Sequence, residues 1–446
     1  MELSPEQEQA LLAFNAGHNL FLTGPGGTGK SALIKKMVEI CKTKGKKKVQ
    51  VCALTGCAAV ILNCQAKTIH SWSGIGIANG SADFIVRKVY SHKYKSSQWK
   101  KIDVLIIDEV SMMSQKIFEI LDSIGRKVRS GSAHLPFGGI QLVFSGDFYQ
   151  LPPVMREEDK KSDPTAAAFC FESPRWRDTF QQIVELKKIF RQTDQVYTKI
   201  LNQIRIGKLY KSSLDTLAPH IDKPLPENFI PTILLPRRRE AEMINATELA
   251  KLTGEEIIYK ISNADDISEL AQKTPPKEKL PERISPEQRE MEKQFLINSI
   301  MADKEIILKK GAQVMCIANL DMESPEPIVN GSQGIVIDFV GGLPLVKFNN
   351  GAKRTVGMHV WSSENHPTIG VKQLPLIYAW AITIHKAQGV SLDMAQIDAG
   401  SNIFECGQTY VALSRVKSLE GLYLTAFDPQ KIKVNRKVQD FYATLI

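Results

Sequence analysis

Asn19-Leu20-Phe21-Leu22-Thr23-Gly24-Pro25-Gly26-Gly27-Thr28-Gly29-Lys30-Ser31 is the stretch on which the reading of this chain turns. Its first five residues form a short apolar run of the kind buried in a parallel sheet. The run ends in glycines, and a helical stretch from Ser31 to Cys41 follows. Residues 24–31 fit G-x-x-x-x-G-K-[ST], placed between strand and helix as that pattern requires. Gly24, Gly26, Gly27 and Gly29 let backbone N–H groups, with Thr28 among them, approach phosphate oxygens without a Cβ in the way. The helix N-terminus adds a favourable dipole. Lys30 supplies a mobile cation for the β- and γ-phosphates, and the Ser31 hydroxyl is a ligand for Mg²⁺.

Outward from the loop, Val49–Leu54, Val104–Ile107 and Gln141–Phe144 read as further strands alternating with helices. That alternation implies an open parallel sheet covered on both faces. Leu105-Ile106-Ile107 delivers Asp108 to the Mg²⁺ shell, and Glu109 beside it is placed to polarise an attacking water. Two acids after a strand are weak alone; paired with the glycine loop they imply nucleoside triphosphate hydrolysis. Gln150, in the polar stretch Ser145–Pro153, is a candidate γ-phosphate reader, with an unliganded polar loop as the alternative. Arg191 and Arg415 lie outside this first α/β unit. An Arg brought onto the γ-phosphate is worth ~10³ or more in rate, although a lone Arg is more often a surface ion-pair partner.

The whole chain has 446 residues, 43% apolar and 24% charged, which excludes general disorder, a collagen-like fibre and a disulfide-stapled miniprotein. At roughly 100–200 residues per domain the length allows two to four domains. No apolar run reaches the ~18 residues of a membrane span. The start, Met1-Glu2-Leu3-Ser4-Pro5-Glu6-Gln7, is acidic without an apolar core, so neither a signal nor a transit peptide is expected. Seven cysteines, an odd count, fit a reducing compartment. Cys52, Cys57 and Cys64 lack metal-finger spacing and read as small apolar residues. The net charge of +9 suggests a polyanionic partner without identifying it.

From Ser262 to Gln294 the chain is rich in charge and proline, with Pro275, Pro276, Pro281 and Pro286, and reads as a mobile connection or a solvated insertion. From Gly311 to about Pro375 short strands alternate with Asn330-Gly331, Gly341-Gly342 and Asn349-Asn350-Gly351, the pattern of a small antiparallel barrel or hairpin module. The remainder returns to the α/β style. Thr68-Ile69-His70-Ser71-Trp72 and Thr383-Ile384-His385-Lys386-Ala387-Gln388-Gly389 occupy comparable loops and carry the donors that usually meet backbone phosphates. Tyr90-Ser91-His92-Lys93-Tyr94-Lys95 and Trp99-Lys100-Lys101 interleave aromatics with cations, suited to stacking on bases or to a solvated amphipathic loop.

The order of these motifs resembles the petite-integration-frequency (PIF-one) family of superfamily-1B DNA helicases over nearly the whole chain. Leu3–Gln7 looks like the family's adenine-reading segment, with Gln7 as the amide that pairs with adenine. Thr55–Ala59 through Thr68–Gly76 is similar to a single-strand contact region. Leu121–Arg129 and Pro136–Leu142 resemble the family's own signature, few other helicases carrying it. Leu186–Gln192 and Tyr410–Val416 correspond to segments bearing arginine fingers, Arg191 and Arg415. Val329–Gly334 is like the start of an inserted SH3-like barrel, and Leu374–Ala381 leads into the motif ending at Gly389, which joins the nucleotide-binding set. Two departures stand out. Pro25-Gly26 replaces the more usual Ser-Ala, and Leu235-Pro236-Arg237-Arg238-Arg239 lacks the common Thr after its Pro.

The resemblance implies an α/β fold of two RecA-like doubly wound parallel-sheet motor domains with a small SH3-like β-barrel inserted in the second. Residues 1–176 form the first motor domain, with 74–101 a small wedge-type insertion. Residues 177–261 and 376–446 form the second, 262–309 a Pro- and charge-rich connection, and 310–375 the barrel. It implies ATP and Mg²⁺ as cofactors and 5′–3′ translocation on single-stranded DNA. Duplex or forked DNA would be unwound, with action on G-quadruplexes and RNA–DNA hybrids, in replication, repair or recombination. Thr55, His70, Thr383, His385 and Lys386 are the implied DNA contacts. The protein is then expected to be a soluble intracellular monomer meeting replication or repair proteins; nucleus, cytoplasm and viral replication site are not distinguished. An RNA helicase of the same superfamily and a nucleotide-gated single-strand clamp remain as alternatives at this stage.

Overall fold

The computed structural model describes residues 3–45, 47–62, 64, 66–76, 78, 80–154, 163–225, 231–264, 285–320, 324–363 and 368–445. It divides into two compact units, Met1–Pro224 with Asp393–Ile446, and Leu225–Leu392.

The first unit is built on six parallel strands: β1 (Leu20–Thr23), β2 (Val49–Ala53), β3 (Lys67–Thr68), β4 (Val104–Asp108), β5 (Gln141–Ser145) and β6 (Gln182–Glu185), in the order β3-β2-β4-β5-β1-β6. β6 lies beyond the boundary read at 176, yet it pairs with β1 from Leu20↔Gln182 to Thr23↔Glu185. Strand periodicity sends alternate side chains to opposite faces. Leu20, Leu22, Val51, Ala53, Val104, Ile106, Val143 and Val184 enter one core. Helices α1 (Pro5–Asn15), α2 (Lys30–Ile40) and α3 (Gly56–Leu62) cover it. Phe21, Cys52, Leu105, Ile107, Leu142 and Phe144 enter the other, with α4 (Ile69–Ser73), α5 (Ala82–Ser91), α6 (Lys93–Lys101) and α7 (Gln115–Val128). Burial on both faces explains why these strands are continuous apolar runs.

The aromatic and basic stretch from Tyr90 to Lys101 is helical, and only part of it is available for stacking. Trp99 is fully buried, its ring 4.8 Å from Trp72 and its Nε1 donating to the Ser73 carbonyl at 3.1 Å. Lys95 is buried too, its Nζ donating to the Ser71 carbonyl at 2.7 Å and so capping α4. Tyr90 and Tyr94 are exposed.

The segments read as a family signature form one packed joint. The buried Asp122 of α7 accepts from the Phe137 N–H at 2.8 Å, from Arg126 Nε at 2.8 Å and from Arg175 Nη1 at 2.8 Å. α7 can approach the Phe137 loop because position 125 is glycine: an ideal Cβ there would stand 2.5 Å from the Phe137 carbonyl oxygen. The rest of the unit holds helices Gln195–Arg205, Gln408–Leu413 and Arg436–Ala443, and the parallel pair Ala395–Ala399 with Leu422–Phe427.

The second unit contains β7 (Thr232–Leu235), β8 (Ile257–Lys260), β9 (Ser262–Ala264), β10 (Glu305–Leu308), β11 (Gln313–Cys316), β12 (Gln333–Val340), β13 (Leu343–Phe348), β14 (Lys353–Thr355), β15 (His359–Ser362), β16 (Gly370–Gln373), β17 (Leu376–Tyr378) and β18 (Ala381–Thr383). β7 and β18 are parallel. β14-β13-β12-β11-β17 is an antiparallel sheet, where the glycine-punctuated run was read as hairpins. β10-β8 and β15-β16-β9 are further antiparallel sheets. The span 262–309, read as a connection, includes β9, the helix Pro286–Ser299 and β10. Pro275, Pro276 and Pro281 lie outside the described residues. Among the described residues no helix is long and apolar enough to cross a membrane.

Gly→Ala in a helix interior normally stabilises by about 1 kcal/mol. At Gly125 the sign should reverse, because the Phe137 backbone must move: Gly125→Ala is expected to lower the unfolding free energy by about 1–3 kcal/mol. Equilibrium denaturation checks this, and an unchanged or raised midpoint would contradict the packing described.

Candidate functional site

β1 ends at Thr23, and the chain turns through Gly24–Gly29 into α2. The segment Leu186–Gln192 lies along this turn. Leu186 N–H donates to the Thr23 carbonyl at 2.8 Å, and Phe190 N–H to the Gly27 carbonyl at 2.8 Å. Gly27 has φ +85°, and a Cβ there would lie 2.6 Å from Arg191 Cβ, so any side chain would expel Arg191. Lys30 Nζ donates to the Gly24 and Pro25 carbonyls at 2.7 and 3.0 Å. Burial pushes its ammonium below the ordinary lysine range, against the support of Asp147, Glu109 and Asp108. Thr28 Oγ1 donates to the Pro25 carbonyl at 2.9 Å. Gln7 closes the capping box of α1 on Ser4, and its Nε2 donates to the Thr28 carbonyl at 3.3 Å.

Asp108, the last residue of β4, is buried between two hydroxyls. Ser145 Oγ donates to its Oδ1 at 2.7 Å, and Ser31 Oγ to its Oδ2 at 3.4 Å. Burial raises its carboxyl above the ordinary range, opposed by Ser145, the Glu109 N–H, Lys30 and Ser31. Glu109 follows at φ 57°, ψ 40°. A left-handed non-glycine residue of this kind carries about 1–3 kcal/mol of strain and is typical of functional sites. Gln150 is buried in the loop after β5, its N–H donating to the Asp147 carbonyl at 2.9 Å.

Both candidate arginines belong to the same compact unit as the loop. An ideal Cβ on Gly26 would stand 3.6 Å from the Tyr410 hydroxyl, 3.7 Å from Arg415 Nη2 and 3.8 Å from Arg191 Nη1, so all three converge on one point of the loop. Tyr410 Oη accepts from the Gly26 N–H at 2.8 Å. Arg415 Nε donates to the Val411 carbonyl and Nη2 to Ser414 Oγ, each at 2.8 Å. Arg191 Nη1 and Gln192 Nε2 both donate to the Ser414 carbonyl at 3.2 Å. Burial lowers both guanidinium groups. For Arg415 burial and then the charge of Arg191 push it down to about 9.

Three residues given no role in the sequence reading complete the cluster: Tyr410, Arg205 and Tyr442. Arg205 grips the buried Asp147 through Nε at 3.0 Å and Nη2 at 2.9 Å. Burial works most strongly against its charge, but Asp147 together with Tyr442 and Tyr410 holds the guanidinium above its usual range. The signal for Arg205 was on the page of the sequence: it falls on the stripe Tyr197, Ile200, Leu201, Ile204 that its helix buries.

The candidate DNA contacts divide between the units. Thr55 Oγ1 accepts from the Ala58 N–H at 3.3 Å at the start of α3, and His70 lies on α4. The pairing Ala53↔Thr68 sets these two loops side by side at one end of the sheet. Burial lowers the His70 pKa, so the ring is neutral near pH 7. In the second unit the Thr383 hydroxyl accepts from the Lys386 N–H at 3.2 Å, with His385 between them and Gly389 at φ 80° just beyond. Thr383 and Lys386 line a small cavity of about 60 Å³ together with Arg238 and Asn245. Arg238 belongs to the run whose missing Thr set it apart in the sequence.

A parallel sheet presenting a glycine loop, an acid at the end of a neighbouring strand and converging cations defines a RecA-like P-loop fold. Comparison with known proteins narrows this. The family model "PIF1-like helicase" matches residues 2–213, and "DNA helicase Pif1, 2B domain" matches residues 294–339. The chain is 32% identical to the ATP-dependent DNA helicase PIF1 of Saccharomyces cerevisiae, over 99% of this chain and 62% of that protein's length. The crystal structure of Pif1 helicase from Candida albicans is 34% identical, with a TM-score of 0.79 and full coverage of both chains. That of Pif1 helicase from Bacteroides in complex with ADP-AlF3 and ssDNA is 29% identical, with a TM-score of 0.69, covering 100% of this chain and 97% of that one. The chain belongs to the PIF1-like helicase family.

Removing one partner of a buried ion pair costs about 3–5 kcal/mol because the other charge is stranded. Arg205→Ala is expected to destabilise by that amount, and adding Asp147→Ala should restore part of it. Urea unfolding of the two variants checks this; a double variant less stable than Arg205→Ala would contradict it.

Proposed function

We propose that this chain is an ATP-driven motor that translocates 5′–3′ along single-stranded DNA and unwinds duplex or forked DNA. The observation that carries the proposal is the convergence of Lys30, Arg191 and Arg415 on one glycine loop, with Glu109 and Asp108 beside it. Cations crowded in a buried site suit a polyphosphate. In this reading Lys30 leaves the loop carbonyls for the β- and γ-phosphates, and Arg191 and Arg415 stabilise charge on the γ-phosphoryl oxygens. Glu109 polarises the attacking water, and Gln150 reads the γ-phosphate. Gln7, with an N–H left on its amide, meets the adenine edge. Ser31 Oγ and Asp108 Oδ2, 3.4 Å apart, are hard oxygen donors that fit Mg²⁺, which when bound draws charge from the phosphate oxygens.

The DNA assignment follows family membership, and the polarity rests on the family alone. The Bacteroides relative was crystallised with single-stranded DNA and a nucleotide analogue together. Thr55 and His70 on one unit, and Thr383, His385, Lys386 and Arg238 on the other, are the proposed contacts to the strand. Work on genomic DNA, in replication, repair or recombination, places the protein inside the cell.

Lys30→Ala and Glu109→Gln should each abolish DNA-stimulated ATP hydrolysis and unwinding while leaving the circular dichroism spectrum intact. Arg415→Ala should slow hydrolysis about 10³-fold. A fluorescent 5′-tailed duplex should be opened and a 3′-tailed one left closed; the opposite preference would overturn the polarity, and unwinding by Lys30→Ala the mechanism. Oligo-dT binding should weaken steeply as salt rises, by counterion release.

A further inference from the structure

One buried hydroxyl joins the phosphate loop to the segment after β5. Tyr442, on the helix Arg436–Ala443, places its Oη 2.6 Å from Thr23 Oγ1, where either hydroxyl can donate. The same oxygen accepts from the Phe148 N–H at 3.2 Å and lies 3.4 Å from Asp147 Oδ1. Thr23 is the last residue of β1, immediately before Gly24. Asp147 and Phe148 begin the segment that carries Gln150. The bridge thus spans two pieces of the site that no backbone hydrogen bond joins directly at these residues, although Gly146 N–H reaches the Leu22 carbonyl one step earlier at 3.1 Å.

The surroundings hold that hydroxyl in place. The Tyr442 ring stacks on Tyr149 with centroids 4.7 Å apart and planes 15° from parallel. The Arg205 guanidinium lies over both rings, 4.6 Å from the centroid of Tyr149 and 5.4 Å from that of Tyr442, while gripping Asp147. Next along the helix, Phe441 stacks on Phe171 at 4.4 Å and contributes packing only. Buried hydrogen-bond networks of this kind favour a single arrangement, since a half-broken one strands polar groups.

We propose that Tyr442 is a positioning residue of the hydrolytic site: its hydroxyl pins the Asp147–Gln150 segment to the foot of the phosphate loop, so the chemical step depends on it and nucleotide affinity does not. The proposal rests on the reading that this loop hydrolyses ATP. Lys30, Arg191 and Arg415 are held by contacts that do not pass through Tyr442, which is why affinity should be spared. Small misplacement at a reacting centre costs far more in rate than in binding.

The test compares Tyr442→Phe, Thr23→Val, the double variant and Phe441→Leu in DNA-stimulated ATP hydrolysis, with thermal unfolding of each. Tyr442→Phe is expected to lower kcat about tenfold to a hundredfold with KM for ATP within about twofold. Thr23→Val should lower kcat in the same sense, and the double variant should fall no further than Tyr442→Phe alone, because one bond is removed in all three. Phe441→Leu should lose thermal stability with kcat unchanged. An unaltered kcat in Tyr442→Phe, additive losses in the double variant, or an equal kcat loss in Phe441→Leu would each overturn the inference while leaving the ATPase reading intact. A wild-type chain that does not hydrolyse ATP would overturn both.

Discussion

Two guanidinium groups crowded against one glycine loop are the constraint on which the rest of the first unit depends. Arg191 and Arg415 approach the same point of the loop, at Gly26, where Arg415 is buried and Arg191 half-buried. Like charges in a low-dielectric site repel, and burial removes the water that would screen them. The fold meets this cost with the Ser414 carbonyl for Arg191 and the Val411 carbonyl and Ser414 hydroxyl for Arg415, and the Glu109 carboxylate favours both charges. Gln192 and Tyr197 lock the same turn through the Ser414 and Leu413 carbonyls. Repulsion between the two cations is what a bound polyanion would relieve, and this is the electrostatic preorganisation expected of a phosphoryl-transfer site.

The sheet makes this crowding possible. Because β1, β4 and β5 are parallel neighbours or near neighbours, Thr23, Asp108 and Ser145 end at one edge, and their loops meet there. Alternation of side chains into two cores fixes the register of each strand, since a one-residue slip would turn both cores inside out. Rigidity then passes outward to the loops. Asp147 and Arg205 form a counterpart to the arginine pair: a buried charge held by a two-pronged grip on its carboxylate.

Much of this was legible in the sequence, and the parts that were not share a reason. The glycine loop, Lys30, Ser31 and the Asp108–Glu109 pair are contiguous, and local spacing carries their chemistry. The hairpin strands around Gly341-Gly342 were equally local. Arg191 and Arg415 became candidates only through resemblance, because nothing near them in the chain marks them. Arg205 and Tyr442 were missed, and Tyr410 was quoted beside Arg415 without a role: each acts through a partner far away in sequence, Tyr442 through Thr23 and Asp147, and Tyr410 through Gly26. Trp99 was misjudged in the other direction. With Lys100 and Lys101 beside it, it read as stacking on bases or as part of a solvated loop, but helical periodicity turns the indole into the core against Trp72. β6 was overlooked because four residues pairing with β1 follow a long irregular stretch that hides their period.

If the arginine crowding is the controlling feature, it should be visible in stability without any catalysis. Thermal unfolding of the wild type and of Arg415→Met, each with and without ATP, measures this directly. Ligand that binds only the folded state stabilises it by about 2.7 kcal/mol at a hundredfold excess over Kd. The account predicts that Arg415→Met loses most of the ATP-induced rise in the unfolding midpoint. An ATP-induced rise retained in full by Arg415→Met would contradict it.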